Sequence, residues 1–124
     1  MGLDRYGFTT RSSNVVSEVE VKNKNWLNEF FYWRKHPDLH GWFNALYEKK
    51  GGQGEFNCEL VRVEGLDLDQ LEEAIKGGML PHTEGFFFGR SYHDNDEKEK
   101  DLRFIQFARE ALGRGLAVFY EAWW

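Results

Sequence analysis

Apolar residues recur with helical spacing in the segment that follows Pro37. Positions i, i+3, i+4, i+7 and i+8 are occupied by Leu39, Trp42, Phe43, Leu46 and Tyr47. Such a stripe is the face with which an amphipathic helix packs on a core. Pro37 suits the first turn of a helix, and Gly51-Gly52 is typical of its end. The pattern therefore predicts a helix over this segment.

Two further helices are predicted closer to the C-terminus. Asp67 is predicted to be an N-cap, with Gln70 at the reciprocal capping-box position. Leucine and isoleucine residues then recur with helical spacing as far as Gly77-Gly78, which ends this helix. The Asp94–Asp96 segment supplies capping residues for the longest helix, which we expect to reach Gly113.

A shorter helix is predicted from Trp26 to about Arg34, with Asn25 as its N-cap. Its residues are apolar almost all round, which is typical of a helix that is covered by a partner. Proline disfavours helical geometry at the residue that precedes it, so Pro37 should end this helix before His36.

Several segments have the pattern of strands. Val15, Val19 and Val21 share one parity of an alternating run, which indicates an edge strand after a turn at residues 12–14. The segment Phe56–Val63 predicts a second strand. Its parity places Cys58 on an apolar face, where a lone cysteine is usually a small core residue. The run Gly85–Gly89 indicates a third strand or a packed loop.

The closing segment Leu116–Trp124 is apolar on both of its alternating faces, which is typical of a strand that is covered on both sides. We therefore expect an α/β fold, as one two- or three-layer domain over residues 1–124. It should contain a small mixed sheet of about three to four strands, with helices packed on it and the C-terminal strand central. The two N-terminal helices should cover the second face of the sheet.

Charge and composition narrow the classes of partner. The net charge is −5, with 16 basic and 21 acidic residues, and this balance disfavours nucleic-acid binding that depends on phosphate neutralisation. No apolar stretch is long enough to span a membrane, so the cytoplasm is the expected location. The single cysteine excludes an internal disulfide, and no cofactor motif is present.

Three segments carry a resemblance to a known group of sequences. They are WRKHPDLHGW from Trp33, LPHTEGFFFG from Leu80, and the closing Trp123-Trp124. The chain resembles, from about Phe31 onward, a family of small uncharacterised proteins from bacteriophages and bacteria. Members sometimes carry the label phosphoglycerate kinase. We reject that activity for this chain, because it needs two domains that close on the substrates and the sequence has no phosphate-binding G-x-x-x-x-G-K-[ST] loop.

The densest cationic group surrounds the start of the helix predicted at Pro37. A candidate ligand site for a small anion, with an aromatic wall and a loop that contributes from residues 81–96, comprises Arg34, Lys35, His36, His40, Trp42, Arg90 and His93. Guanidinium and imidazole groups can donate to an anion beside an aromatic ring. The same residues also fit a plain corner between helices, with buried tryptophans and hydrated charges. A metal site at the histidines has little support, since no H-E-x-x-H pattern is present.

Glu121 is the one charged residue in the closing segment. If that strand is central, the carboxylate must be paired, and Arg34, Arg62 and Arg90 are the candidate partners.

Two functional hypotheses remain open. The first is a non-enzymatic accessory protein, of phage or prophage type, that binds a protein partner and modulates a host process. Abundant aromatic residues support it, because Tyr, Trp and Arg anchor interfaces; a homo-oligomer is compatible with the same residues. The second is a protein or enzyme that binds a phosphorylated or nucleotide-like compound.

Overall fold

A computed structural model describes residues 3–34, 36–83 and 95–123. The described strands and helices are β1 (Asp4–Arg11), β2 (Val15–Ser17), β3 (Glu20–Val21), β4 (Asn28–Arg34), α1 (Pro37–Lys49), β5 (Glu59–Val63), α2 (Gly65–Lys76), α3 (Asn95–Gly113) and β6 (Leu116–Trp123). Short 3-10 turns lie at Ser12–Asn14 and Lys24–Trp26.

The main sheet has the strand order β4-β1-β6-β5, so the predicted α/β fold and the interior position of the C-terminal strand are confirmed. All three pairings between its described strands are antiparallel, whereas a mixed sheet was expected. The difference arises because α2 and α3 both lie between β5 and β6, so the chain enters β6 in the direction opposite to β5. The predicted strand at Gly85–Gly89 lies outside the described residues.

All three helices pack on one face of this sheet. The core there is built from aliphatic and aromatic side chains of the helices and of β4, β5 and β6. Phe43, Phe104 and Tyr120 are fully buried in it, and the Phe43 and Tyr120 rings stack 3.8 Å apart. Gly7 of β1 is pressed against the same core. A Cβ atom there would lie 2.9 Å from the Phe104 ring, which is closer than real Cβ contacts.

The opposite face of the sheet carries a second, smaller cluster, formed by Val21, Leu60, Ala117 and Phe119. The β2–β3 hairpin covers it and is anchored by a backbone hydrogen bond from Arg62 N to Glu18 O of 2.7 Å. The prediction that β6 is buried on both faces is therefore confirmed. The prediction that two N-terminal helices cover the second face is wrong, because α1 packs on the other face and the earlier segment is a strand.

The segment from Trp26 to Arg34 is not a helix. The Asn23 side chain caps the 3-10 turn Lys24–Trp26, and the chain then extends as β4. Phe31 and Trp33 face the helices, while Tyr32 and Arg34 face the other way. An apolar run fits a buried helix and a strand equally well by periodicity alone, and pairing with β1 decides for the strand.

Two element boundaries also differ from the prediction, and one strand was not predicted. The N-cap of α2 is Glu64, and Asp67 is its N3 residue; the Glu64 N–H donates to Asp67 Oδ2 over 2.8 Å. The predicted N-cap therefore lies three residues too late, at the N3 position of the observed capping box. Strand β5 begins at Glu59 because Cys58 has a φ of 62°, in the left-handed region. Strand β1 had no predicted counterpart.

Candidate functional site

Four aromatic rings lie together on the sheet face opposite the helices. Tyr6 is at their centre, with ring centroids 5.8 Å from Phe8, 5.3 Å from Tyr32 and 6.4 Å from Trp123. Tyr32 and Trp123 are 39% and 51% exposed, and the other two rings are half-buried. We call these four residues the aromatic face.

Strand register brings these residues together from three neighbouring strands. Tyr6 of β1 pairs with Tyr32 of β4 on one side and with Glu121 of β6 on the other. Since side chains alternate across a strand, Phe8 and Trp123 share this face with them. The β2–β3 hairpin covers the β5 side of the same face, so the rings cluster on the β4 side.

Charged groups of both signs border the aromatic face. The Tyr32 hydroxyl donates to Asp4 Oδ1 over 2.6 Å, and this hydrogen bond to the carboxylate raises the pKa of Tyr32 to about 12. Lys24 Nζ lies 3.2 Å from Glu121 Oε2. Arg34 is exposed and in register with Asp4. The border therefore combines carboxylates and cations around a mainly apolar centre.

A buried polar cluster lies on the helical face of the sheet, one residue away along β1. Arg5 is fully buried between the rings of Trp33 and Tyr120, with centroids 4.7 and 5.4 Å from its guanidinium carbon. Its Nε donates to the Tyr120 hydroxyl over 2.7 Å. Burial raises the pKa of Tyr120 to about 12, although the charge of Arg5 opposes the rise.

His40 belongs to the same cluster. Its Nδ1 is hydrogen-bonded to the Tyr120 hydroxyl at 2.9 Å, and its ring stacks on Phe56 with centroids 5.2 Å apart. Burial, and then the charge of Arg5, lower the pKa of His40 to about 3. The imidazole is therefore neutral at neutral pH.

His36 holds the junction between β4 and α1. It is the N-cap residue of α1 and has a φ of 63°. Its Nε2 lies 2.8 Å from Asp101 Oδ2 and its Nδ1 lies 3.4 Å from Glu97 Oε1. Trp33 Nε1 donates to Asp101 Oδ1 over 3.2 Å. These contacts hold the junction against α3, so His36 has a structural role.

The structure places the candidate ligand residues in different surroundings. His36 and His40 are buried, at 4% and 2% exposure, while Arg34 lies on the opposite face of the sheet. Trp42 is half-buried and packs edge-on against Phe43. His40 lines a cavity of about 260 Å³. The remaining three members, Lys35, Arg90 and His93, lie outside the described residues.

Two other predictions about single residues need correction. Cys58 is exposed rather than a core residue, because its left-handed backbone breaks the parity on which the prediction relied. Glu121 is paired as expected from its central strand, but its described partner is Lys24 rather than an arginine. Sequence reasoning missed Lys24 because it placed this residue just before a helix, away from the sheet.

Sequence reasoning also missed the aromatic face. The alternation of Tyr6 with Phe8 in β1, and of Tyr32 with Arg34 in β4, was the available signal. It was hidden because the second segment was interpreted as a helix and the first was given no element.

Within the described ranges, no group of three or more His, Cys, Asp or Glu side chains is placed to hold a metal ion. No helix in that part of the chain is long and apolar enough to cross a membrane.

Comparison with known proteins gives a single partial similarity to report. The tRNA U34 carboxymethyltransferase of Hahella chejuensis is 30% identical to this chain over 113 residues, which cover 78% of this chain and 35% of that protein. The chain therefore spans about a third of the length of this relative. No family model matches the chain, and no solved structure matches it.

Proposed function

We propose that this protein is a non-enzymatic binding protein that holds a partner protein on the aromatic face. The observation that carries the proposal is the contact of four rings on a sheet face where two of them, Tyr32 and Trp123, remain 39% and 51% exposed. Clusters of exposed aromatic residues commonly mark interaction sites, and tyrosine and tryptophan are the residues that most often dominate interface energies.

The rings are well prepared for binding. Tyr6 touches each of the other three, and the Tyr32 hydroxyl is held by Asp4. Side chains that are already ordered lose less conformational entropy when a partner docks. Strands β1, β4 and β6 supply the rings, so the partner meets a rigid surface.

Charge favours a protein over a nucleic acid as the partner. Stacked rings on a sheet also suit single-stranded bases, and the partial relative is named for a tRNA reaction. However, Asp4, Glu29 and Glu121 lie on or beside the ring-bearing strands, and the chain is acidic overall, at −5. With Lys24 and Arg34 as its described cations, this surface carries too little net positive charge to attract phosphates. The partner that fits presents an apolar segment with basic residues at its edge.

The resemblance to small bacteriophage proteins supports a partner from the phage or its host. Modulation of a host process by occupancy of one of its proteins is the role that we propose for such a complex.

A comparison of the wild-type protein with two variants tests this proposal. Partners captured from host lysate by the wild-type protein are identified, purified and titrated against each variant by calorimetry. Tyr32→Ser combined with Trp123→Ser should weaken binding at least tenfold, because each exposed aromatic anchor contributes on the order of 1 kcal/mol or more. Trp26→Ser is the matched control, since Trp26 is at least as exposed, at 57%, but does not belong to the aromatic face.

Three results would contradict the proposal. The first is equal affinity of the partner for the double variant and the wild type. The second is self-association in sedimentation velocity that the double variant abolishes, which would assign the face to a second copy of this chain. The third is tight binding of a single-stranded RNA oligonucleotide that the double variant loses.

A further inference from the structure

A polar groove of about 640 Å³ lies at the end of the sheet where β1 finishes and β4 begins. Its volume falls in the range of about 300–1,000 Å³ that is typical of small-molecule sites. The side chains on which the argument depends are Thr9, Arg11, Ser13, Asn25, Trp26 and Asn28. The groove is separate from the aromatic face and from the buried polar cluster.

A network of buried side chains fixes the walls of the polar groove. Asn14 is 1% exposed, and its Nδ2 donates to Thr10 Oγ1 and to Asn23 O, each over 3.1 Å. Its Oδ1 accepts from Asn23 N over 2.9 Å. Thr10 Oγ1 in turn donates to the carbonyl oxygen of Trp26 over 2.9 Å. The turn that carries Trp26 is therefore tied to the end of β1 before any ligand arrives.

The remaining polar groups of the groove are available to a ligand. Within the described part of the chain, the side chains of Asn25, Asn28 and Arg11 make no hydrogen bond or ion pair. Each asparagine amide offers both donors and an acceptor. Trp26 is the most exposed aromatic residue among those described, at 57%. Trp26 lies beside these amides, although a position in the core would bury far more of its apolar surface.

Charge limits the chemistry of the ligand. Arg11 is the one charged residue that lines the groove, and no carboxylate does so among the described residues. A cationic ligand would find no counter-ion there. Neutral amides and hydroxyls beside an indole suit a ring that carries several hydroxyl groups, because its hydroxyls both donate and accept and its flat face can pack on the indole.

We infer that the polar groove binds a hydroxylated ring that carries no positive charge, stacked on Trp26 and hydrogen-bonded by Asn25 and Asn28. This chemistry is shared by free sugars and by the ribose of nucleosides. This site adds a second binding function to the protein binding proposed above, and it does not depend on that proposal.

The test uses nuclear magnetic resonance of the full-length chain labelled with ¹⁵N. The tryptophan indole N–H signals report separately on each ring, and the Trp26 signal is identified by its loss in Trp26→Phe. The protein is titrated with neutral mono- and disaccharides in one arm and with adenosine and uridine in the other. We expect one arm to move the Trp26 signal saturably while the signal of Trp33 stays in place.

Variants then assign the contacts. Asn28→Ala should weaken the binding found in that titration about tenfold, which corresponds to the loss of about 1.4 kcal/mol. Leu66→Ser is the control and should leave the affinity unchanged, because Leu66 is exposed on α2 and does not line the groove. The arm that responds identifies the source of the ring.

The inference is overturned if neither arm moves the Trp26 signal saturably, or if Asn28→Ala binds as tightly as the wild type while its spectrum shows a folded protein. It is also overturned if free adenine or uracil binds as tightly as the nucleoside, since recognition would then not involve the hydroxylated ring.

Discussion

The two faces of the sheet use similar residues in opposite ways. On the helical face, Trp33 and Tyr120 are buried and enclose a charged guanidinium. On the other face, Tyr32 and Trp123 are exposed, and the charged groups lie at the border of the rings, as Asp4 does at the Tyr32 hydroxyl. Neighbouring residues of one strand therefore have different roles. Burial, rather than residue type, separates the rings that stabilise this fold from those that are available for binding.

The largest difference between the faces should appear on truncation of adjacent residues in β4. Trp33→Ala should lower the free energy of unfolding by about 3–5 kcal/mol, because it leaves a cavity in the core. Tyr32→Ala should cost about 1 kcal/mol or less, since that ring is 39% exposed. Chemical denaturation of both variants measures the difference. Similar losses for the two variants would show that the aromatic face also stabilises the fold.

The second-largest difference in stability between the faces should appear when a single hydroxyl is removed from each. Tyr120→Phe removes the acceptor of the buried Arg5 Nε and should cost about 1–3 kcal/mol, the usual penalty for a buried polar group that loses its partner. Tyr6→Phe is the control on the aromatic face and should change stability by less than about 0.5 kcal/mol. If thermal denaturation gave equal effects, the buried polar cluster would contribute no more than the solvent-facing hydroxyl.

Acid should destabilise the fold through protonation of His40, which lies on the helical face. The pKa of this imidazole is about 3 in the folded protein and about 6.5 in the unfolded chain. Because the unfolded chain binds the extra proton, stability should fall as the pH drops below 6.5, with a slope that approaches about 1.4 kcal/mol per pH unit from this group alone. Proton resonance of the His40 ring is the direct measurement. Titration of that signal with a midpoint near 6.5 would exclude a neutral, buried imidazole.

The smallest of these effects concerns the contact that joins the two faces. Lys50 Nζ lies 2.5 Å from Asp67 Oδ2, 3.1 Å from Glu18 Oε2 and 2.7 Å from the carbonyl oxygen of Arg62. It therefore links the end of α1 to α2 and to the hairpin. Lys50→Met should cost about 1 kcal/mol, because the network is only partly buried. Lys76→Met is the control, since Lys76 is 62% exposed in its ion pair.

The pH dependence of the Lys50 contribution follows from two pKa shifts. Burial lowers the pKa of Lys50, but hydrogen bonds to Asp67 and Glu18 outweigh it, so the pKa is raised above 10.5. Burial raises the pKa of Glu18, but hydrogen bonds to Glu64 and Lys50 outweigh it, so the pKa is lowered below 4.5. The stability difference between wild type and Lys50→Met should therefore shrink above pH 10.5 and below pH 4.5. A difference that stays constant across both limits would contradict the ionic nature of the contact.

The patterned elements could be predicted from the sequence, and the exceptions have physical reasons. Helix α1 carries an unbroken apolar stripe, strand β6 is apolar on both faces apart from Glu121, and both elements are confirmed. Strand β1 could not be predicted because its inward positions hold Arg5 and Gly7, which do not mark a core face in any simple pattern. Arg5 is buried only because two rings from distant segments enclose it.

The candidate site could be predicted less well than the fold. His36 and His40 lie in the same cationic segment of the sequence, but each contacts a different element of the fold. His36 pairs with Asp101 of α3, and His40 is hydrogen-bonded to Tyr120 of β6. The aromatic face depends on the register of three strands, and register is decided by contacts between remote segments. Local composition carries no information on such contacts.

Arg5 and Tyr120 are joined although they are 115 positions apart in the chain. The pairing of β1 with β6 therefore closes a loop that contains nearly every other element. Loops of that size close late and slowly, because most of the chain must be made and arranged first. Until β6 has been made, β1 lacks its central neighbour, so a chain still in synthesis exposes the Tyr6 and Phe8 strand to pairing with other chains.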